Sequence, residues 1–172
     1  MMKFRAHPLL RNRHIQTIAA NTLRPRPQLA LTRERFATED ADFIDLDWAS
    51  STYQNTHQPC VVVLHGLGGS SQSKYARSLL QACSAQGWRA GILNLRGASG
   101  TPNRAARQYH SGDTQDVAFL LPHIKQRAPT QPLFLVGFSL GGNVTVKYLG
   151  ECGQGTHTNV VRAAVAVSTP FD

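Results

Sequence analysis

The sequence predicts an α/β fold built on a mostly parallel sheet with helices on both of its faces. From residue 60 onward, short β-branched runs alternate with stretches in which apolar residues recur at helical spacing. Two of these runs lead directly into glycine-rich turns, at 65–69 and at 137–142. A repeated strand–helix order is typical of a parallel sheet covered on both faces, and 172 residues suffice for one domain with a sizeable core.

The part of the chain before residue 60 predicts a basic arm followed by a hairpin. Three prolines, Pro8, Pro25 and Pro27, interrupt regular structure in the arm. The segment 42–48 alternates apolar and polar residues, as a half-buried strand does. The predicted elements are an irregular arm over 1–30 with a short helix at 9–18, paired strands at 31–37 and 42–48, and a loop at 49–58.

The rest of the chain predicts the alternating strands and helices of the core. The run from Cys60 to Leu64 is typical of a central parallel strand, and Asp113 is placed to cap a helix. The predicted elements are, in order, a strand at 60–64, a helix at 73–86, a strand at 89–95, a loop at 96–112, a helix at 113–128, a strand from Leu133, a helix at 140–151 and a strand at 160–167.

The most informative stretch is the strand from Leu133 that runs into Gly137-Phe138-Ser139-Leu140-Gly141. Gly-x-Ser-x-Gly on a strand-to-helix turn predicts a nucleophile elbow with Ser139 at its tip. The residues two positions to either side of the serine pass close together, and Gly137 and Gly141 have no Cβ to clash there. The pattern by itself is common by chance, but the apolar strand before it and the helical spacing after it favour the functional interpretation.

A second glycine-rich segment, His65-Gly66-Leu67-Gly68-Gly69, follows the strand at 60–64. A tetrahedral intermediate needs N–H donors aimed at its oxyanion. At a nucleophile elbow one donor follows the serine and the other lies in the loop after the third strand, so we expect the N–H groups of Leu140 and Leu67. Gly66 and Gly68 let this loop approach a substrate closely. The alternative, a phosphate-binding loop, lacks the Lys-Ser/Thr of a P-loop and the dinucleotide-binding spacing.

The net charge of +8 is concentrated at the N-terminal end. Residues 1–36 hold eight Lys or Arg residues and one acidic residue, for a net charge of +7. Such an arm suits a nucleic acid or an anionic membrane surface, but no aromatic-interleaved basic helix or RNA-binding motif accompanies it. We expect a solvated arm without a specific nucleic-acid site, and weak contact with an anionic surface stays open.

Composition further bounds the class of protein. The three cysteines, Cys60, Cys83 and Cys152, have no metal-ligand spacing and are expected to be reduced thiols of a cytoplasmic protein. No run approaches the ~18 apolar residues of a membrane span, and the N-terminus has no apolar region of a secretory signal. We expect neither a metal nor an organic cofactor.

These segments resemble the α/β-hydrolase superfamily and, within it, the YheT-like hydrolases, which are relatives of the abhydrolase-domain lipases. The resemblance covers nearly the whole chain and is most specific at the segments 12–18 and 109–114. The motifs are the segments 12–18, 65–69, 94–97, 109–114, 137–143 and 168–172. The resemblance implies a serine hydrolase that acts on carboxylic esters, of short-chain or monoacylglycerol type.

The resemblance also implies that the catalytic triad is incomplete in this chain. In this fold the serine is followed by the acid and then by the histidine, but the chain stops at Asp172. We therefore expect residues 31–172 to be an incomplete core domain, truncated before the cap and the last strands, and inactive alone. Bland loop or surface roles are favoured for the internal candidates, which are His65, His110, His157 and Asp172.

We therefore expect an ester hydrolase that binds a small ester or lipid-like substrate and uses Ser139 as nucleophile. The alternatives are an acyltransferase or thioesterase with the same site, an inactive remnant or interaction module that keeps the fold, and a nucleic-acid binder that works through the arm.

Overall fold

The computed structural model describes residues 25–49 and 57–170, together with residues 8, 11, 12, 14, 15, 18 and 19. Its strands are β1 (Leu31–Ala37), β2 (Phe43–Ala49), β3 (Cys60–Leu64), β4 (Arg89–Asn94), β5 (Leu133–Phe138) and β6 (Ala163–Val167). Its longer helices are α1 (Lys74–Ala85), α2 (Gln115–Arg127) and α3 (Leu140–Gly153).

The strands form one six-stranded sheet in the order β1-β2-β4-β3-β5-β6. The pairs β4–β3, β3–β5 and β5–β6 are parallel, whereas β2 runs antiparallel to both β1 and β4. The predicted hairpin and the mostly parallel sheet are therefore confirmed. Because β3 and β5 are neighbours in register, with Leu64 opposite Gly137, the two glycine-rich turns leave the sheet side by side.

Helices cover both faces of the sheet, as predicted. On one face α2 and α3 pack against alternate residues of the strands, with Leu64, Leu120 and Tyr148 fully buried. On the other face α1 packs Ala76 and Leu80 against the neighbouring set of strand residues. The β-branched and leucine-rich runs form central strands because their side chains enter a core on both faces.

Two predicted boundaries are wrong. The N-cap of α2 is Thr114 and not Asp113, because the Asp113 carboxylate instead accepts a hydrogen bond from the Arg107 guanidinium. Strand β6 begins at Ala163 and not at residue 160. Before the strand begins, the N–H of Val161 donates at 2.9 Å to Oδ1 of Asn159, two residues earlier in the chain. This local bond competes with strand pairing.

The end of the basic arm is attached to the core. The buried Arg77 of α1 donates to the carbonyl oxygens of Pro27 at 3.0 Å and Leu29 at 2.5 Å. Residues of the predicted short helix at 9–18 lie partly outside the described residues. Of those described, His14, Ile15 and Ile18 are helical.

One apolar area of the sheet is not covered by the helices of the described residues. On the α1 side a groove of about 370 Å³, which we call the β6 groove, lies beyond α1. Its apolar walls include Leu79, Trp88, Phe134, Val136 and Val165. Within the described part of the chain β6 pairs with β5 alone, so one edge of the sheet and part of one face are open.

Candidate active site

Ser139 lies at a strained turn between β5 and α3. Its φ of 51° and ψ of −117° are far from the usual conformations of an L-residue and cost about 1–3 kcal/mol, which the surrounding structure must supply. The Ser139 N–H donates to the carbonyl oxygen of Val167 at 2.8 Å. The side chain is exposed, and its hydroxyl has no hydrogen-bond partner within the described residues.

Close packing around this turn explains the two flanking glycines. A Cβ on Gly137 would lie 2.2 Å from the carbonyl oxygen of Gly141. A Cβ on Gly141 would lie 2.6 Å from the carbonyl oxygens of Leu64 and His65. The close approach of Gly137 to Gly141 is the one that the spacing of the motif predicts, and Gly141 also packs against the end of β3.

The loop after β3 is a tight turn that touches the Ser139 turn. The N–H of Gly69 donates to the carbonyl oxygen of Gly66 at 3.0 Å, and Gly68 has a φ of +65°, which favours glycine at the third position of such a turn. A Cβ on Gly66 would lie 3.2 Å from the Cβ of Ser139. The loop is thus held directly against the serine.

The two N–H groups predicted as oxyanion donors are both without an acceptor in the described structure. Leu140 is the first residue of α3, so its N–H has no intrahelical partner. The N–H of Leu67 makes no hydrogen bond within the described residues, and 77% of the Leu67 residue surface is exposed. The Leu67 N–H is therefore available for an acceptor, and the Leu67 side chain lies outside the core.

His65 is a buried structural residue. Its Nδ1 lies 2.8 Å from the carbonyl oxygen of Gly66, and its Nε2 accepts the N–H of Leu95 at 3.1 Å. Because Nε2 accepts, Nδ1 carries the proton and donates to Gly66. Burial lowers the pKa of His65 and keeps the imidazole neutral. With both nitrogens engaged, His65 is not positioned as a base.

The other internal candidates for the triad lie elsewhere. His110 Nδ1 accepts the N–H of Gly112 at 3.1 Å. His157 stacks on Tyr148 and its Nε2 lies 3.3 Å from the Glu151 carboxylate. Asp172 lies outside the described residues. The open pocket of about 310 Å³ at Ser139 is instead lined, among the described residues, by Gly66, Leu67, Tyr75, Phe138, Val167 and Ser168.

Two tyrosines at this site were not predicted from the sequence. The hydroxyl oxygen of Tyr75, in the first turn of α1, accepts the N–H of Gly66 at 2.8 Å. The hydroxyl oxygen of Tyr109 accepts the N–H of Gly68 at 3.0 Å. No local pattern marks either residue, since Tyr109 contacts a residue 41 positions away. Tyr109 does fall within a motif that carries the family resemblance.

A buried ion cluster supports the loop that carries Tyr109. The Arg96 guanidinium is almost fully buried and binds the carboxylates of Asp116 at 2.9 Å, Asp42 at 3.1 Å and Asp40 at 2.7 Å. Burial by itself would raise the pKa of Asp42, but N–H donors from Arg104 and other neighbours outweigh it and hold the pKa well below its usual range. The cluster joins the loop after β4 to the β1–β2 turn and to α2.

Two further properties concern the described residues only. They contain no group of three or more His, Cys, Asp or Glu side chains that could hold a metal ion, and none of their helices is long and apolar enough to cross a membrane. The three cysteines are free thiols, and burial raises the pKa of Cys60 to about 12, which makes it a poor nucleophile.

Comparison with known proteins identifies the family and the fold of the chain. The family model described as serine aminopeptidase, S33, matches residues 55–171. The chain is 39% identical to the Escherichia coli (strain K12) protein YheT over 160 residues, which are 93% of this chain and 46% of YheT. It is 28% identical over 146 residues to the Homo sapiens phospholipase ABHD3, which covers 82% of this chain and 36% of that protein. The chain thus spans less than half the length of these curated relatives.

A solved structure shows the same fold. The esterase Pf2001 of Pyrococcus furiosus superposes with a TM-score of 0.63 over 85% of this chain and 57% of the esterase, at 19% sequence identity. This likeness establishes the α/β-hydrolase fold, and the family match covers most of the chain. The relatives that it matches include proteins named as an esterase, a phospholipase and a monoacylglycerol lipase. The chain therefore belongs to the α/β-hydrolase family described as serine aminopeptidase, S33, and is YheT-like within it.

Proposed function

We propose that this protein hydrolyses carboxylic esters through Ser139. The observation that carries the proposal is the backbone at Ser139, which is strained, glycine-flanked and displays an exposed hydroxyl at the start of α3. Strain of this kind persists where the surrounding structure over-determines it, and it clusters at active sites. A purely structural serine at a strand-to-helix turn has no need of it.

The proposed reaction is acyl transfer in two steps. The Ser139 hydroxyl attacks the ester carbonyl while a base removes its proton, the alcohol leaves, and water then cleaves the acyl-serine. The N–H groups of Leu67 and Leu140 bind the oxyanion of each tetrahedral intermediate, and loss of one such donor costs on the order of 3 kcal/mol. We assign the base and its acid to parts of the protein outside the described residues, since His65, His110 and His157 have other partners.

The walls of the Ser139 pocket suggest the substrate class. Leu67, Phe138 and Val167 present apolar surface beside the serine, which suits an acyl chain better than a charged group. The names of relatives point the same way, since they include the phospholipase ABHD3 and a Saccharomyces cerevisiae monoacylglycerol lipase. We therefore propose short-chain or monoacylglycerol-type esters as substrates.

Ester turnover by the full-length protein tests the proposal. p-Nitrophenyl acetate, butyrate and octanoate are assayed with the natural protein, with Ser139→Ala and with Ser84→Ala as the control. Ser84 lies in the last turn of α1, and its hydroxyl has no hydrogen-bond partner in the described structure. We expect Ser139→Ala to abolish turnover and Ser84→Ala to retain it. Undiminished turnover by folded Ser139→Ala would refute the assignment.

A further inference from the structure

Hydrogen bonds fix three consecutive peptide groups of the loop after β3. The partners are side chains and, in one case, a backbone N–H across the turn. The N–H of Gly66 donates to the Tyr75 hydroxyl, and the N–H of Gly68 donates to the Tyr109 hydroxyl. Between them, the carbonyl oxygen of Gly66 accepts from the N–H of Gly69 and from Nδ1 of His65.

This pattern determines where the N–H of Leu67 points. The Leu67 N–H belongs to the same planar peptide group as the Gly66 carbonyl, and the two bonds point in opposite directions in a trans peptide. No cis peptide occurs in the described structure. Two donors fix the Gly66 carbonyl, and one tyrosine hydroxyl fixes the peptide group on either side of it. The direction of the Leu67 N–H is therefore fixed, although this N–H makes no hydrogen bond of its own within the described residues.

Each tyrosine is itself held by the site. The ring of Tyr75 packs on Phe138 with 4.7 Å between ring centroids, and Phe138 precedes Ser139 directly. The ring of Tyr109 lies edge-on to His65 at 6.0 Å. Tyr75 thereby couples the loop to the Ser139 turn, and Tyr109 couples it to the loop that the Arg96 cluster supports.

We propose that Tyr75 and Tyr109 are positioning residues that aim the Leu67 N–H at the oxyanion, an inference that rests on the proposed function of Ser139. They act through the backbone of Gly66 and Gly68 and not by touching the substrate. Their hydroxyls take up the two N–H groups beside Leu67, so that the Leu67 N–H is the one left for the oxyanion.

The test removes each hydroxyl and keeps each ring. Tyr75→Phe, Tyr109→Phe and the double variant are made in the full-length protein, with Tyr148→Phe as the matched control. Tyr148 is buried and donates to the carbonyl oxygen of Thr158 at 3.3 Å, away from the site. kcat and KM for p-nitrophenyl butyrate are measured, and amide hydrogen exchange is followed at Gly66 and Gly68.

Deleting an oxyanion donor lowers kcat by about 10²–10³. Misaligning the donor should lower kcat by part of that factor. We expect kcat to fall by about 10-fold in each single variant and by about 10²-fold in the double variant, with KM changed less than about twofold. Amide exchange should accelerate at Gly66 in Tyr75→Phe and at Gly68 in Tyr109→Phe. Tyr148→Phe should change none of these quantities.

The outcomes separate this inference from the proposed function. If Ser139→Ala is inactive while both tyrosine variants keep the kcat of the natural protein, the positioning role is wrong and the nucleophile stands. A rise in KM at unchanged kcat would likewise overturn it, because it would indicate a role in substrate binding. If folded Ser139→Ala keeps full turnover, both proposals fall.

Discussion

At the scale of single residues, the site depends on a backbone that few side chains permit. Ser139 holds a φ of 51° because the chain must turn sharply from β5 into α3. The turn is possible because glycine occupies both positions where backbones meet. The free-energy cost of a side chain at either glycine is confined to this turn. Substitution of these glycines should therefore lower the free energy of unfolding.

Gly137→Ala should destabilise the fold strongly. Its Cβ would lie 2.2 Å from a backbone oxygen, and backbone cannot move aside as a flexible side chain can. We expect a loss of about 1–3 kcal/mol or more in the free energy of unfolding. Gly150→Ala is the control, because a Cβ there meets nothing within 4 Å and should stabilise α3 by about 0.5–1 kcal/mol. Urea unfolding measures both; an unchanged midpoint for Gly137→Ala would contradict the packing argument.

His65 should make stability depend on pH. Its pKa is lowered in the folded protein by burial, so below the ordinary histidine pKa of about 6.5 the unfolded state binds a proton that the folded state does not. The free energy of unfolding should therefore fall as pH drops below 6.5, by at most about 1.4 kcal/mol per pH unit.

Urea unfolding at pH 7.5, 6.5 and 5.5 measures this dependence. His65→Gln removes the titrating group, so it should be less stable at pH 7.5 but lose less stability between pH 6.5 and 5.5. A natural protein and a variant with the same slope over that interval would show that His65 is not the group responsible.

At the scale of elements, long-range side-chain contacts assemble loops that the local sequence leaves undefined. Arg96 follows β4, yet it binds Asp40 and Asp42 in the β1–β2 turn and Asp116 in α2. Three acidic side chains converge on one guanidinium, and two of them are nearly inaccessible to water. The loop over 96–112 is therefore held at its first residue, Arg96, thirteen positions before Tyr109.

Arg96→Met should destabilise the protein by roughly 3–5 kcal/mol, since it leaves the buried Asp42 carboxylate without its cation. Lys147→Met provides the comparison, because the Lys147–Glu151 pair is exposed along one face of α3 and should contribute little. Thermal unfolding followed by circular dichroism distinguishes the two. Similar melting temperatures for both variants would mean that the cluster does not stabilise the fold.

These contacts also mark the limit of what the sequence predicts. The sharp turn at Ser139 was predictable because such a turn needs particular residues within five positions. Strands such as Cys60–Leu64 were predictable because a strand that is buried on both faces has a continuous apolar sequence. Tyr75, Tyr109 and Arg96 were not, since a hydroxyl or guanidinium gives no local sign of a partner far along the chain. Asp113 was misread as a cap for the same reason, because its partner Arg107 competes with the helix end.

At the scale of the whole molecule, the sheet is covered unevenly. The α2 and α3 face is closed by large buried side chains, whereas the other face leaves the β6 groove and one strand edge open. An exposed apolar face beside an unpaired edge favours association between chains. In the 172-residue chain studied in isolation, this region should dominate behaviour in solution.

Val165→Lys should therefore reduce self-association of the 172-residue chain. Val165 lies on β6 in the groove and is 54% exposed, while Val146 on α3 is 44% exposed and outside the groove. Both substitutions to lysine add the same charge, so Val146→Lys controls for net charge. Sedimentation velocity should show a shift to smaller species for Val165→Lys alone. Equal shifts in both variants would attribute the effect to charge instead of the groove.

Covalent labelling tests most directly whether the strained turn presents Ser139 as a nucleophile. The full-length protein is treated with a fluorophosphonate, digested, and the modified peptide is sequenced by mass spectrometry, with Ser139→Ala treated in parallel. We expect one adduct, on Ser139, and none in Ser139→Ala. Labelling that persists in Ser139→Ala, or an adduct on another serine in the natural protein, would contradict the account.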